Sequence, residues 1–214
     1  MKALAYCTAA VLALLSACAP ANAQPLPLAG RDYLRLDPPR ATASAGSIEV
    51  IEFFYYGCPV CYEAQEHVMR WRARAAADVS QLRIPSAASE NQENFARTYY
   101  ALEAHGQLER LHWTVYENYH FDDQRLLDEE SLLAWLARNG IDAEAFRRLR
   151  DSPEVRARVA AGRAVFDAYG VRAVPTFVID GRFLTSARLA GGVKEMMDVV
   201  EYLVGRAREE RRSR

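Results

Sequence analysis

An α/β fold split by a block of helices is what this 214-residue sequence predicts. Three observations carry that prediction. An apolar, β-branched and aromatic run from Ile48 to Tyr56 leads directly into a helical pattern; everything between Phe95 and Tyr169 lacks strand-like alternation; and strand character returns after it at Thr176–Ile179. Half of the residues are apolar, enough for a full core in one domain carrying an insertion.

Taken in order, Met1-Lys2, the apolar run from Ala3 to Leu15 and the small residues Ala21-Asn22-Ala23 have the three parts of a secretory signal, so residues 1–23 are read as a leader cut before Gln24. A second reading competes, because Leu15-Ser16-Ala17-Cys18 resembles a lipobox in which Cys18 would carry lipid and become the new N-terminus. Export is common to both, and the apolar stretch is shorter than the ~18 residues a spanning helix needs. Residues 24–46, rich in proline, alanine and small polar residues, form an N-terminal arm with one short strand around Tyr33 to Leu36.

The strand Ile48–Tyr56 ends at Gly57. Pro59 suits a first helical position, where a missing N–H costs nothing, and Ala64, Val68, Trp71 and Ala75 then recur at helical spacing. Gln81-Leu82-Arg83-Ile84 is a second strand, stopped by Pro85 and a polar loop through Asn94, which closes a first α/β segment over 47–94. The insert, 95–170, is read as helices over Phe95–His105, Leu108–Tyr119, Ser131–Asn139 and Glu154–Tyr169, the last opened by Ser152-Pro153. In the second segment, 171–205, Asp180-Gly181 is a two-residue hairpin turn between Thr176–Ile179 and Arg182-Phe183-Leu184. A last amphipathic helix puts Val193, Met196, Met197, Val200 and Leu203 on one face, and 206–214 reads as a charged, frayed tail.

Cys58-Pro59-Val60-Cys61 is the chemical centre of this layout. Of four cysteines, Cys7 and Cys18 lie in the leader, so a soluble mature chain keeps one close pair, which argues against a disulfide-stapled scaffold. A very short loop also restricts the unfolded chain least, which points to a reactive bond more than a stabilising one. Two rival readings of the pair are an inert staple and half of a zinc site. Zinc needs four ligands, and His67, His105, His112 and His120 show no paired spacing, so no metal is expected. Net charge is −1, and no basic patch interleaved with aromatics suggests nucleic acid as a partner.

A thiol at a helix N-terminus meets unpaired N–H groups and the positive end of the helix dipole, both of which favour the thiolate, so the acidity of Cys58 should rise. Cys61, a turn inside the helix, should remain an ordinary buried thiol. Glu52 shares strand parity with Ile48, Val50 and Phe54, which sets a carboxyl on an apolar face. Burial would raise its proton affinity and suit it to exchange a proton with Cys61; the competing reading is a structural pair with an arginine such as Arg83. Pro175 after Val174 reads locally as an ordinary strand-start proline. The aromatics Tyr99, Tyr100, Trp113, Tyr116, Tyr119 and Trp135 read as the insert's core, His67 as a partly exposed helical residue, and Tyr62 as an exposed apolar rim.

Glu52-Phe53-Phe54 ahead of Cys58-Pro59-Val60-Cys61-Tyr62, together with Gly170-Val171-Arg172-Ala173-Val174-Pro175-Thr176-Phe177, resembles the bacterial DsbA family of exported thiol-disulfide oxidases. The resemblance runs from about Tyr33 to Gly205. It implies a thioredoxin-like fold with an inserted α-helical domain and a redox-active Cys58–Cys61 disulfide. It further implies a cis Val174–Pro175 bond whose backbone receives substrate, a buried acid at Glu52, and no cofactor. Implied partners are folding exported proteins with free thiols and a DsbB-type membrane oxidase, in the periplasm, with the chain acting as a monomer. Two alternatives are a disulfide reductase or isomerase and a non-catalytic, lipid-anchored binding module. Isomerases of this superfamily usually add a dimerisation domain, for which 24–46 is too short. Where the family's best-known form has Cys-Pro-His-Cys this chain has Val60, which cannot donate to a thiolate, so a less acidic Cys58 and a less oxidising couple are expected.

Overall fold

The computed structural model describes residues 25–43, 46–121, 126 and 128–213; both readings of the leader fall outside them. Strands β1 (Leu34–Arg35) and β2 (Ile48–Phe54) precede helix α1 (Pro59–Arg74) and strand β3 (Val79–Pro85). The insert supplies α2 (Glu90–Ala104), α3 (Leu108–Phe121), α4 (Glu129–Arg138), α5 (Ala143–Arg150) and α6 (Pro153–Tyr169). The hairpin β4 (Thr176–Ile179) and β5 (Phe183–Ser186), the short α7 (Ala187–Ala190) and the long α8 (Val193–Arg212) complete the chain.

These strands form one sheet in the order β1-β5-β4-β2-β3. β2 runs parallel to β3, its partner across the α1 crossover, and antiparallel to β4. All seven of its residues are buried, as a β-branched and aromatic strand covered on both faces requires. Ile48 and Val50 pack with Val68 and Trp71 of α1 and with Met196, Val200 and Leu203 of α8. Ile51 and Phe53 point the other way, against Tyr169 and Phe166 of α6. Phe54, at the strand's end, belongs to the insert's core with Tyr99, Tyr116, Trp135 and Phe146. The thioredoxin-like fold with a helical insertion is thus what the chain adopts, and the end of β2 is where sheet, α1 and insert meet.

Local details differ from the sequence reading for identifiable reasons. β2 stops at Phe54, and Tyr55 and Tyr56 leave the sheet. α2 begins at Glu90, inside the stretch read as loop, because Ser89 caps it and accepts from the Gln92 N–H. The Gln92 side chain reaches back to the Ala88 N–H, a variant of the reciprocal box that Ser-x-x-Gln encodes. α5, capped by Asp142, and α7, capped by Ser186, have no counterpart in that reading. Ile179 pairs with Phe183, so the hairpin turn spans three residues, with Asp180 and Gly181 at φ 55° and 62°. A side chain at 181 would run into the Arg40 carbonyl.

The charged C-terminal run is a correction of more weight. Residues 206–212 are the last turns of α8 and are not frayed: Ala207 is buried, Arg208 Nε donates to Asp78 at 2.5 Å, and Arg211 Nε donates to Asp180 Oδ2 at 3.0 Å. Asp180 is itself buried and also takes Arg182 at 3.1 Å. Truncating Arg211 strips one partner from a buried carboxylate. Arg211→Ala is therefore expected to destabilise the fold by about 1–2 kcal/mol, seen as a lower urea midpoint with unchanged slope. A frayed tail would leave that midpoint where it was.

Candidate active site

Helix α1 starts with sulfur where most helices start with oxygen. Cys58 is the N-cap residue, in extended backbone (φ −89°, ψ 117°), and its Sγ accepts from the Cys61 N–H at 3.3 Å. Pro59 follows as the first helical residue, and the Cys58 N–H is tied to the Tyr55 carbonyl at 3.1 Å, so the turn after β2 delivers the sulfur to the helix end. Cys58 remains partly exposed and Cys61 is 0% exposed; both are free thiols.

Their acidities diverge. Cys58 falls from the usual 9.0 to about 6: the hydrogen bond from the Cys61 thiol contributes most, burial opposes it, and the Cys61 and Val60 amides add to it. The helix amides that the sequence pointed to are thus second to the neighbouring thiol. Cys61 goes the other way, pushed well up by burial first and by its bond to Cys58 next, with the Glu52 charge a smaller contribution. One sulfur is held as an anion at neutral pH and the other keeps its proton.

Across from α1, the Val174 carbonyl lies 3.5 Å from Cys58 Sγ. The Val174–Pro175 bond is cis, and Thr176 Oγ1 braces the turn by donating to the Ala173 carbonyl at 2.8 Å. A groove of about 430 Å³ opens beside the Val174–Pro175 turn, lined by Val60, Glu63, Val174, Pro175, Arg188 and Val193. Val60 contributes its apolar side chain there at 40% exposure.

Beneath the cysteines, Glu52 is 2% exposed and buried on the α1 face, and Arg83 Nε approaches its Oε2 at 3.4 Å, the structural pairing expected of it. Gln65 Nε2 donates to its other oxygen at 3.0 Å, a contact the sequence reading did not anticipate because a polar residue on a helix passes for a surface residue.

The insert builds the remaining wall. Gly57 has no room for a Cβ, since the Tyr55 hydroxyl and the Tyr119 ring fill that space. The Tyr56 hydroxyl and His112 Nδ1 share a hydrogen bond of 2.7 Å, and His120 Nε2 bonds the Tyr56 carbonyl at 2.9 Å. Burial, then Arg83 and Arg72, pushes His112 well down, so it is a neutral core histidine. Tyr99, Tyr100, Tyr116 and Trp135 are buried in the insert's core as read, while Trp113 and Tyr119 are half-buried. Tyr62 is half-buried as well, stacked on Trp113 at 5.1 Å, so it belongs to an aromatic cluster and is not a free rim. His67 is partly exposed, with Nδ1 3.1 Å from Arg70.

Comparison with known proteins agrees with this geometry. A family model described as DSBA-like thioredoxin domain matches residues 72–203. The thiol:disulfide interchange protein DsbA of Bordetella parapertussis is 32% identical over 182 residues, 84% of this chain and 86% of that protein. DsbA of Azotobacter vinelandii is 30% identical over 84% of each chain. Among solved structures, Pseudomonas aeruginosa DsbA superposes with a TM-score of 0.81 at 29% identity, over 86% of this chain and 95% of that one. The oxidoreductase DsbA from Xylella fastidiosa gives 0.79 at 30%, over 86% and 99%. With Cys58 capping its first long helix, its free partner Cys61 one turn inside, and these likenesses spanning most of its length, the chain belongs to the DsbA family and is a protein disulfide oxidoreductase.

Proposed function

We propose that this enzyme donates the Cys58–Cys61 disulfide to newly exported proteins in the periplasm and is reoxidised by a DsbB-type membrane oxidase. The observation that carries the reading is the opposed acidity of the two sulfurs. A substrate thiolate attacks Cys58, the Cys58–Cys61 bond breaks, and Cys61 leaves with the electron pair and takes a proton, for which Glu52 is the nearby acid. A second substrate thiolate then attacks the substrate sulfur of the mixed disulfide. Cys58 departs as a stabilised thiolate, the substrate is oxidised by two electrons, and the enzyme is left reduced. Because a low thiol pKa favours the reduced enzyme, transfer runs toward the substrate. Val174 and Pro175 are the substrate-side residues: the backbone beside the sulfur pairs with an extended chain, which serves many sequences because it reads no side chain. The apolar groove at Val60 and Val193 accommodates exposed hydrophobic segments of folding proteins.

Oxidative refolding of a reduced protein with two cysteines tests the assignment: the wild type should accelerate it and Cys58→Ser should abolish the effect. An isomerase or reductase would instead show its main activity on scrambled substrates or on insulin, and a binding module would be indifferent to Cys58→Ser.

Thiolate absorbance of the reduced protein should titrate with a midpoint of about 6. The corresponding stability of the reduced form is complete above 9.0, declines as pH falls, and is gone below about 6. The oxidised form lacks this contribution, so the difference between the urea midpoints of the two forms should shift against the reduced form as pH drops through that window.

Val60→His places a donor beside Cys58. It should lower the thiol pKa further and make the couple more oxidising in equilibrium with glutathione, by about 30 mV for a tenfold rise in thiol acidity. A potential that stays put, or becomes more reducing, would show that residue 60 does not tune this thiolate.

A further inference from the structure

Gln65 is a buried polar side chain that the exchange chemistry leaves without a role. It lies on α1 one turn beyond Cys61, is 0% exposed, and faces β2. Its Nε2 donates to Glu52 Oε1 at 3.0 Å and reaches the Tyr116 hydroxyl of α3 at 3.4 Å. The other carboxylate oxygen, Glu52 Oε2, has no hydrogen-bond partner among the described residues, because the Arg83 Nε at 3.4 Å attracts it without the alignment of a bond. A single hydrogen bond therefore fixes this carboxyl among the described residues, and Gln65 supplies it.

We propose that Gln65 is a positioning residue for thiol–disulfide exchange: its amide engages one oxygen of Glu52 and leaves the other open to exchange a proton with Cys61. The proposal rests on the reading of Glu52 as the proton partner of Cys61. Three features of the geometry support it. The amide is one turn from the thiol it serves, so Cys61 and the carboxyl are held by the same stretch of helix. Tyr116 holds the amide from the insert side, which reduces the freedom of the donor to turn away. Finally, an amide carries no charge, so it can stabilise the carboxylate without adding a titrating neighbour beside the buried thiol.

The groups that act on Glu52 come from several elements. Arg83 faces it from β3, Cys61 and Arg72 from α1, Tyr99 from α2 and Tyr116 from α3, while Tyr56 follows its own strand. Its partner in register on β4 is Phe177, which carries no charge. Removing the Gln65 amide leaves the charge of all these groups unchanged.

Gln65→Met keeps the length of the side chain and deletes the donor. In the pH dependence of the exchange rate with a model thiol, the acidic limb should move up by about one pH unit, the worth of one hydrogen bond to a charged group. The thiolate titration of Cys58 should stay in place. In a Glu52→Gln background the same substitution should move nothing further, because the carboxylate it acts on is gone. Gln65→Glu is the second variant, close in volume to the wild type. It sets two carboxyls within hydrogen-bond distance, and the limb should rise at least as far. A uniform loss of rate at all pH values, or a limb unmoved by either variant while Glu52→Gln moves it, would overturn the proposal and leave the reading of Glu52 intact. Should Glu52→Gln itself leave the profile unchanged, the reading of Glu52 falls and the role of Gln65 with it.

Discussion

The contact between Cys58 Sγ and the Cys61 N–H is the constraint around which the rest of the molecule is arranged. A helix needs its first amides satisfied, and here a thiol does what serine or aspartate does at the start of α2, α4, α5 and α6. Sulfur is a poor acceptor as a thiol and a good one as a thiolate, so the helix is better capped when Cys58 is charged. The demand of the backbone and the demand of the chemistry point the same way, and the Cys61 thiol strengthens the effect from inside the helix.

For that contact to have chemical use, one sulfur must be reachable and the other must not. The architecture enforces the difference. α1 buries Cys61 against the insert's core through Tyr116 and Phe54, while the turn through Tyr55-Tyr56-Gly57 holds Cys58 at the surface opposite the Val174 carbonyl. The insert is consequently part of the active site rather than an appendage. Its α3 supplies His112 and His120, which clamp the hydroxyl and the carbonyl of Tyr56 immediately before the cysteines.

Much of this arrangement is legible in the sequence because its signals are local. The β2 run and Pro59 at the first helical position each occupy a few consecutive residues, and strand parity alone sets Glu52 on the face of Ile48 and Val50, whereas Val174-Pro175 reads locally as an ordinary strand start and only the family resemblance marks its cis bond. The missed features have partners far along the chain or carry weak patterns. α5 buries Phe146 alone, so no apolar stripe announces it, and the Asp142 cap is its signal. Ser89-Glu90-Asn91-Gln92 is polar throughout and passes for loop, although its cap-and-return spacing marks a helix start. Gln65 interrupts an otherwise apolar face between Ala64 and Val68, and nothing nearby in sequence reveals that Glu52 awaits it. Arg208 and Arg211 find Asp78 and Asp180 across the fold, which no reading of a charged terminal run would supply.

The anchoring of α8 also bears on how the molecule assembles. This helix brings Met196, Val200 and Leu203 to the face of β2, and its final turns latch onto the beginning of β3 and the β4–β5 turn. β2 meanwhile waits for β4, which arrives after the whole insert. The centre of the sheet is thus built from segments far apart in sequence, β2 on one side of the insert and β4 on the other, a high-separation pairing of the kind that slows folding.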